Sequence, residues 1–150
     1  MQVAYEKLPE LAGQEIGVSS WVLLDQAKVN QFADATGDHQ WIHVDVERAK
    51  RELPTGGTIV HGYFTLSLIP QFMFEMMEIT GVSQMINYGA NKVRFTNMVP
   101  TGSRVRGRLK VLSVEKKGNA STMNYEMRIE IEGQERPACV AEVIMMAFSA

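Results

Sequence analysis

A chain of 150 residues, 45% hydrophobic and 21% charged, is long enough for one domain with a sizeable core and has an ordinary globular composition. Its formal net charge of −2 gives no overall attraction to nucleic acid or to an anionic membrane, and its single cysteine, Cys139, excludes an intrachain disulfide. The stretch Met1 to Glu10 lacks the basic and apolar segments of a secretion signal. The greasiest run, Tyr63 to Met77, is too short to span a bilayer and contains Pro70, Gln71 and Glu75. These features predict a single cytoplasmic domain over residues 1–150.

Asp25 is placed as an N-cap, and Val29, Phe32, Ala33 and Thr36 follow at spacings that make one helical face. Gly37 is suited to end that helix in a left-handed turn. Asp45 is a second N-cap, for a short helix over Val46 to Leu53 that Pro54 stops, and Thr55-Gly56-Gly57-Thr58 reads as a loop. Between them, Ile42 and Val44 flank His43 in a stretch that reads as extended. From Gly62 to about Ile79 apolar residues surround a helix on almost every side, so one long buried helix is expected, kinked at Pro70 and stopped at Gly81.

The last third alternates. In Ser103 to Leu112, Val105, Leu109 and Val111 oppose Arg104, Arg106, Arg108 and Lys110. In Asn124 to Glu132, Tyr125, Met127, Ile129 and Ile131 oppose Glu126, Arg128, Glu130 and Glu132. A period of two predicts strands with one buried face, and Gly118-Asn119 and Gly133 supply turns. Ala138 to Phe148 is apolar on both faces apart from Glu142, as a central or interface strand would be, and Cys139 within it reads as a small buried hydrophobe. The fold class is α+β, a helix covered by an antiparallel sheet. The basic row Arg104 to Lys110 can be neutralised by the acidic row opposite, which makes it a solvated face and argues against nucleic-acid binding.

One constellation carries chemistry. Asp38 and His43 stand on a short segment between two helices, where a carboxylate and an imidazole can share a water molecule. Gly62 opens the apolar helix and, lacking a side chain, leaves its N–H open to a developing oxyanion. Taken singly, Asp38 is an ordinary turn residue and His43 an ordinary structural histidine; their conjunction beside Gly62 is what points to catalysis. His39 and His43 have the i, i+4 spacing of zinc ligands, but they fall outside a predicted helix, without a glutamate in the motif position or a third ligand, so no metal is expected.

The stretch Phe32-Ala-Asp-Ala-Thr-Gly-Asp-His-Gln-Trp-Ile-His-Val-Asp, with Ile59-Val-His-Gly-Tyr downstream, resembles the hydratase signature of the MaoC-like dehydratases, and most of all their nodulation-protein-N-like branch. The resemblance continues through Ile86-Asn-Tyr-Gly-Ala-Asn-Lys-Val-Arg-Phe and Val99-Pro-Thr-Gly-Ser-Arg-Val-Arg. It implies a hot-dog fold, an antiparallel sheet wrapped around a long central helix, in a homodimer. It also implies (R)-specific hydration of trans-2-enoyl-CoA, or the reverse dehydration, with acyl-CoA as substrate and no cofactor. By position, Asp38 and His43 become the catalytic dyad and Gly62 the oxyanion donor. Asn87, Tyr88 and Asn91 are expected to contact the thioester or pantetheine, Trp41 the substrate, and His61 to orient the turn before Gly62. Gln40 and Trp41 stand where the commoner pattern has Asn and Pro, which bears on the shape of the acyl pocket. Met73, Met76 and Met77 are either acyl-tunnel lining or plain core. Two other readings stay open: a hot-dog thioesterase, which would need an acid such as Glu75 or Glu78 on the helix, and a protein that binds acyl thioesters without turning them over.

Overall fold

The computed structural model describes residues 1–150. Its elements are β1 (Gln2–Ala4), a 3-10 segment Tyr5–Leu11, β2 (Glu15–Val18), β3 (Val22–Leu23), α1 (Gln26–Thr36), α2 (Trp41–Val44), α3 (Val46–Glu52), α4 (Gly62–Ser67), α5 (Ile69–Met76), β4 (Glu78–Thr80), β5 (Val82–Arg94), β6 (Arg104–Lys117), β7 (Ala120–Ile131) and β8 (Cys139–Ser149). Six strands make one antiparallel sheet in the order β2-β6-β7-β8-β5, with β3 also on β6. β1 and β4 form a separate parallel pair.

The alternation read from the sequence is the register of this sheet. Val105, Leu109 and Val111 of β6 and Met123, Tyr125, Met127, Ile129 and Ile131 of β7 all face the core. The basic row lies opposite the acidic one: Arg106 Nε and Arg108 Nε each reach Glu130 at 2.7 Å, Arg104 lies 3.8 Å from Glu132, and Lys110 faces Glu126. β8 sits between β7 and β5, a central position that accounts for its two apolar faces. Cys139 is buried, and burial pushes its thiol up to about 11.

The expected long helix is two helices. α4 ends at Ser67, Leu68 takes φ −80° and ψ −13°, and α5 restarts at Ile69 with Pro70 in its first turn. Proline has no N–H to give to an i−4 carbonyl, but in a first turn none is needed, so the chain breaks before Pro70 instead of bending at it. α5 stops at Met76, Met77 is extended, and Ile79 lies in β4 beside Val3 of β1. Burial is also one-sided: Phe72, Met73, Met76 and Met77 are buried, whereas Tyr63 and Phe74 are 69% and 53% exposed. The methionines are therefore core.

A second difference is α2, since residues 41–44 are a helical turn and not extended: His43 N–H donates to Gln40 O at 3.0 Å and Asp45 N–H to Trp41 O at 2.9 Å. α1 and α3 are capped as expected, Asp25 accepting from Lys28 N–H and Asp45 from Arg48 N–H, and Gly37 closes α1 at φ 81°.

α5 approaches the sheet over a glycine. A Cβ on Gly107 of β6 would lie 2.9 Å from Phe72 Cβ and 2.7 Å from Met127 Sδ. Gly107→Ala should destabilise the fold by about 1–3 kcal/mol through overpacking. Urea unfolding measures this, and an unchanged midpoint would show that α5 can retreat freely.

Candidate active site

α1 and the turn at Gly37 place Asp38 beside His43, outside the lining of the cavity that His43 borders. The Asp38 carboxylate accepts Gln40 N–H at 3.3 Å and its side chain remains half exposed. α2 carries His43, buried, with Nδ1 2.7 Å from Ile59 O. A carbonyl only accepts, so Nδ1 holds the ring hydrogen and the neutral imidazole presents a bare Nε2. That nitrogen lies 4.0 Å from Asp38 Oδ2. The separation is too wide for a direct hydrogen bond and suits one shared water. Burial holds the His43 imidazole below its ordinary 6.5, and neighbouring His61 pushes it the same way, against the raising effects of Ile59 O and Asp38.

His61 binds the two halves of the site together. Its Nε2 donates to Asp38 O at 3.0 Å, and its ring stacks on that of His43 with centroids 3.8 Å apart, Phe32 lying behind it at 4.8 Å. Its Nδ1 is buried without a hydrogen-bond partner. The histidine that joins His43 is thus His61; His39 is exposed and turned to Asp34 at 2.9 Å, a contact that raises its pKa. Asp38, His43 and His61 each bring one potential ligand atom within 4.8 Å of the others. His61 is thus the third candidate ligand that the sequence reading lacked; its Nε2 is held by Asp38 O, its Nδ1 is unpartnered, and the 4.0 Å between Asp38 and His43 is wider than the roughly 3–3.5 Å between ligands of one zinc ion.

Gly62 follows directly. Its N–H donates to no backbone carbonyl, and the Phe95 ring covers it so closely that a Cβ would lie 3.0 Å from Phe95 Cγ. His43 and Gly62 line one cavity of about 350 Å³ together with Phe95, Asn97, Met98 and Arg136. His43 and Gly62 therefore border one space. The other expected contacts do not join it in this chain. Asn87 and Tyr88 line a separate hollow with Pro70 and Tyr125, Asn91 reaches Asn124 Oδ1 at 3.5 Å, and the Trp41 ring lies under the Arg48 guanidinium at 4.0 Å.

Several supporting groups escaped the sequence reading. Gln26 Nε2 donates to His43 O at 2.8 Å, and Gln26 Oε1 accepts the Thr58 hydroxyl at 2.6 Å, fixing α2 from beneath. Ile59 and Phe95 lie in the stretches that carry the family resemblance, but only the folded chain shows their roles. Gln26 gives no signal beyond its place at the start of α1.

Comparison with known proteins agrees. The MaoC like domain family matches residues 7–133. The 3-hydroxyacyl-thioester dehydratase Z of Mycobacterium tuberculosis (strain ATCC 25618 / H37Rv) is 50% identical over 139 residues, 92% of this chain and 91% of that protein. Nodulation protein N of Rhizobium leguminosarum bv. viciae is 44% identical over 145 residues, 95% of this chain and 90% of that protein. Among solved structures, the unliganded R-hydratase of Pseudomonas aeruginosa superposes with a TM-score of 0.73 at 22% identity, covering 93% of this chain and 83% of that one. The sheet folded about α4 and α5 is thus the hot-dog fold, and identity of 50% along nearly the whole of both chains makes this protein an enzyme of the MaoC-like dehydratase family.

Proposed function

We propose that the enzyme adds water (R)-specifically to a trans-2-enoyl-CoA, or removes it from the 3-hydroxyacyl thioester, using Asp38, His43 and the Gly62 N–H. The observation that carries this reading is the bare His43 Nε2, fixed by Ile59 O, 4.0 Å from Asp38 Oδ2 and on the same cavity as an N–H without a backbone acceptor. The names of the relatives support the substrate class.

A water held between Asp38 and Nε2 attacks Cβ. As its oxygen bonds there, His43 takes one of its protons, and the Cα–Cβ π electrons move through the thioester onto its oxygen. The Gly62 N–H donates to that oxygen. Collapse of the enolate takes the proton from the imidazolium to Cα, and His43 is neutral again. Asp38 accepts the other hydrogen of the water and stabilises the transient imidazolium. The thioester itself acidifies Cα, so the reaction written here calls on no cofactor. Because α4 runs only from Gly62 to Ser67, the donor acts as a local N–H more than as the end of a long dipole. A homodimer fits the outer edge of β5, which pairs with no strand and exposes Ile86 and Tyr88 by 44% and 67%. Sedimentation as a monomer would count against that pairing.

The thioesterase reading loses its acid: Glu75 accepts Ser20 N–H at 2.7 Å and Glu78 lies in β4 beside Gln2, both away from the cavity. A protein that only binds thioesters has no need of a base held in one tautomer.

Crotonyl-CoA should lose its enoyl absorbance without release of free thiol. Asp38→Asn and His43→Ala should each lower kcat/KM by roughly a hundredfold or more with the fold intact; activity within a few-fold of the parent would refute the dyad. Gly62→Ala should lower kcat by about a hundredfold while KM changes little. Alanine keeps the N–H, so the expected loss comes from its Cβ, which meets Phe95 and crowds the approach of the thioester oxygen; an unchanged kcat with a raised KM would dismiss the oxyanion role. The acid limb of kcat/KM should have its midpoint below 6.5, because burial lowers the His43 pKa. With the folded value below the unfolded one, the unfolded chain binds the proton more readily, so this group withdraws stability as pH falls from 6.5 through the folded value. A kinetic midpoint above 6.5 would mean that another group limits the rate.

A further inference from the structure

The catalytic cavity has a wall that the reaction leaves unused. It is formed by Phe95 to Val99, at the exit of β5, and by Arg136 and Ala138, at the entry to β8. Arg136 is the one residue of the whole lining with a permanent charge, and no carboxylate lines the cavity. The arginines of β6, Arg104, Arg106 and Arg108, are each paired with a glutamate. Arg136 is exposed, forms no ion pair, and engages the rest of the protein through its carbonyl and not its guanidinium.

The backbone that carries it is firmly held. Asn97 Nδ2 donates to Gln134 Oε1 at 2.7 Å and to Arg136 O at 3.3 Å. Thr96 N–H donates to Ala138 O at 3.0 Å, and the Thr96 hydroxyl donates to Pro137 O. The exposed Arg136 side chain is thus carried on a fixed backbone and lines the same cavity as buried His43 and half-buried Gly62.

A thioester bound with its reacting carbon at His43 and its oxygen at Gly62 must send the chain beyond sulfur out of this cavity. A rim with one unpaired cation and no acid suits a ligand that is anionic there. The arm common to CoA and to acyl carrier protein is phosphopantetheine, and the planar guanidinium fork matches a phosphate. We propose that Arg136 binds the phosphate of the phosphopantetheine arm that carries the acyl group. This rests on the thioester reading above and adds how the carrier is recognised.

The test compares carriers with the acyl group held constant. Between crotonyl-phosphopantetheine and crotonyl-pantetheine, which lacks the phosphate, the parent enzyme should lose about tenfold in KM. Arg136→Ala should raise KM for crotonyl-phosphopantetheine and crotonyl-CoA by about the same tenfold, leave kcat within about twofold, and leave crotonyl-pantetheine unaffected. Arg136→Lys should recover much of the loss. An equal effect with crotonyl-acyl carrier protein supports the phosphate shared by both carriers; an effect confined to crotonyl-CoA supports the pyrophosphate of the nucleotide carrier. A KM that Arg136→Ala shifts equally with and without the phosphate, or not at all, overturns the proposal. Binding of free CoA, followed by calorimetry, probes the contact without turnover. A loss of affinity in Arg136→Ala supports the contact even if no thioester is hydrated, whereas unchanged affinity refutes it while hydration of crotonyl-pantetheine upholds the reaction.

Discussion

The site depends on the hydrogen bond of 2.7 Å from His43 Nδ1 to Ile59 O. It decides which nitrogen is bare, and hence that the proton-accepting position is Nε2, on the side of Asp38. It also ties α2 to the segment that leads into Gly62, which Ile59 N–H reinforces by donating to Ile42 O at 3.0 Å. His43 and Gly62 are therefore placed by one local arrangement. Burial of His43 then adds a bias toward the neutral ring, so the same packing that orients the base keeps it able to act.

Around this centre the fold works by close approach. Gly107 lets Phe72 press on the sheet, and the break at Leu68 lets α4 take a course of its own, with its first residue under Phe95. His61 spans the remaining gap, meeting the Asp38 backbone through one ring nitrogen and the His43 ring through its face. Gln26 and Thr58 complete the support from α1. Polar anchors beneath and aromatic rings above leave the dyad little freedom, while the Asp38 carboxylate still reaches solvent.

Much of this was legible in the residues. Period-two patterning in β6 and β7 is enforced by one buried face, so Val105 to Ile131 read correctly, and the caps Asp25, Asp45 and Gly37 announce their turns by local chemistry alone. What failed were features set by tertiary context. β5 is exposed along most of its length, so it shows no alternation that would mark it as a strand. Pro70 signals an interruption but not whether the chain bends or restarts. The helical turn at Trp41–Val44 is too short for periodicity to register. Asp38, His43 and Gly62 stand out in the sequence because their spacing suits one chemistry, and the fold brings His43 Nε2 to 4.0 Å from Asp38 Oδ2 and sets His43 and Gly62 on one cavity. Asn87, Tyr88 and Asn91 carry no such constraint, and the folded chain sets them apart from the cavity.

Cys139 gives the protein a built-in gauge of its own opening. The thiol lies fully inside the sheet, and its pKa of about 11 leaves almost no thiolate at neutral pH. A thiol reagent therefore meets it only when β8 parts from its neighbours. Cys139 opens β8 opposite Ile129 of β7, so the rate at which the native enzyme is labelled reports opening of that end of the sheet. While the sheet holds, any free thiol that appears in a reaction mixture has come from the substrate.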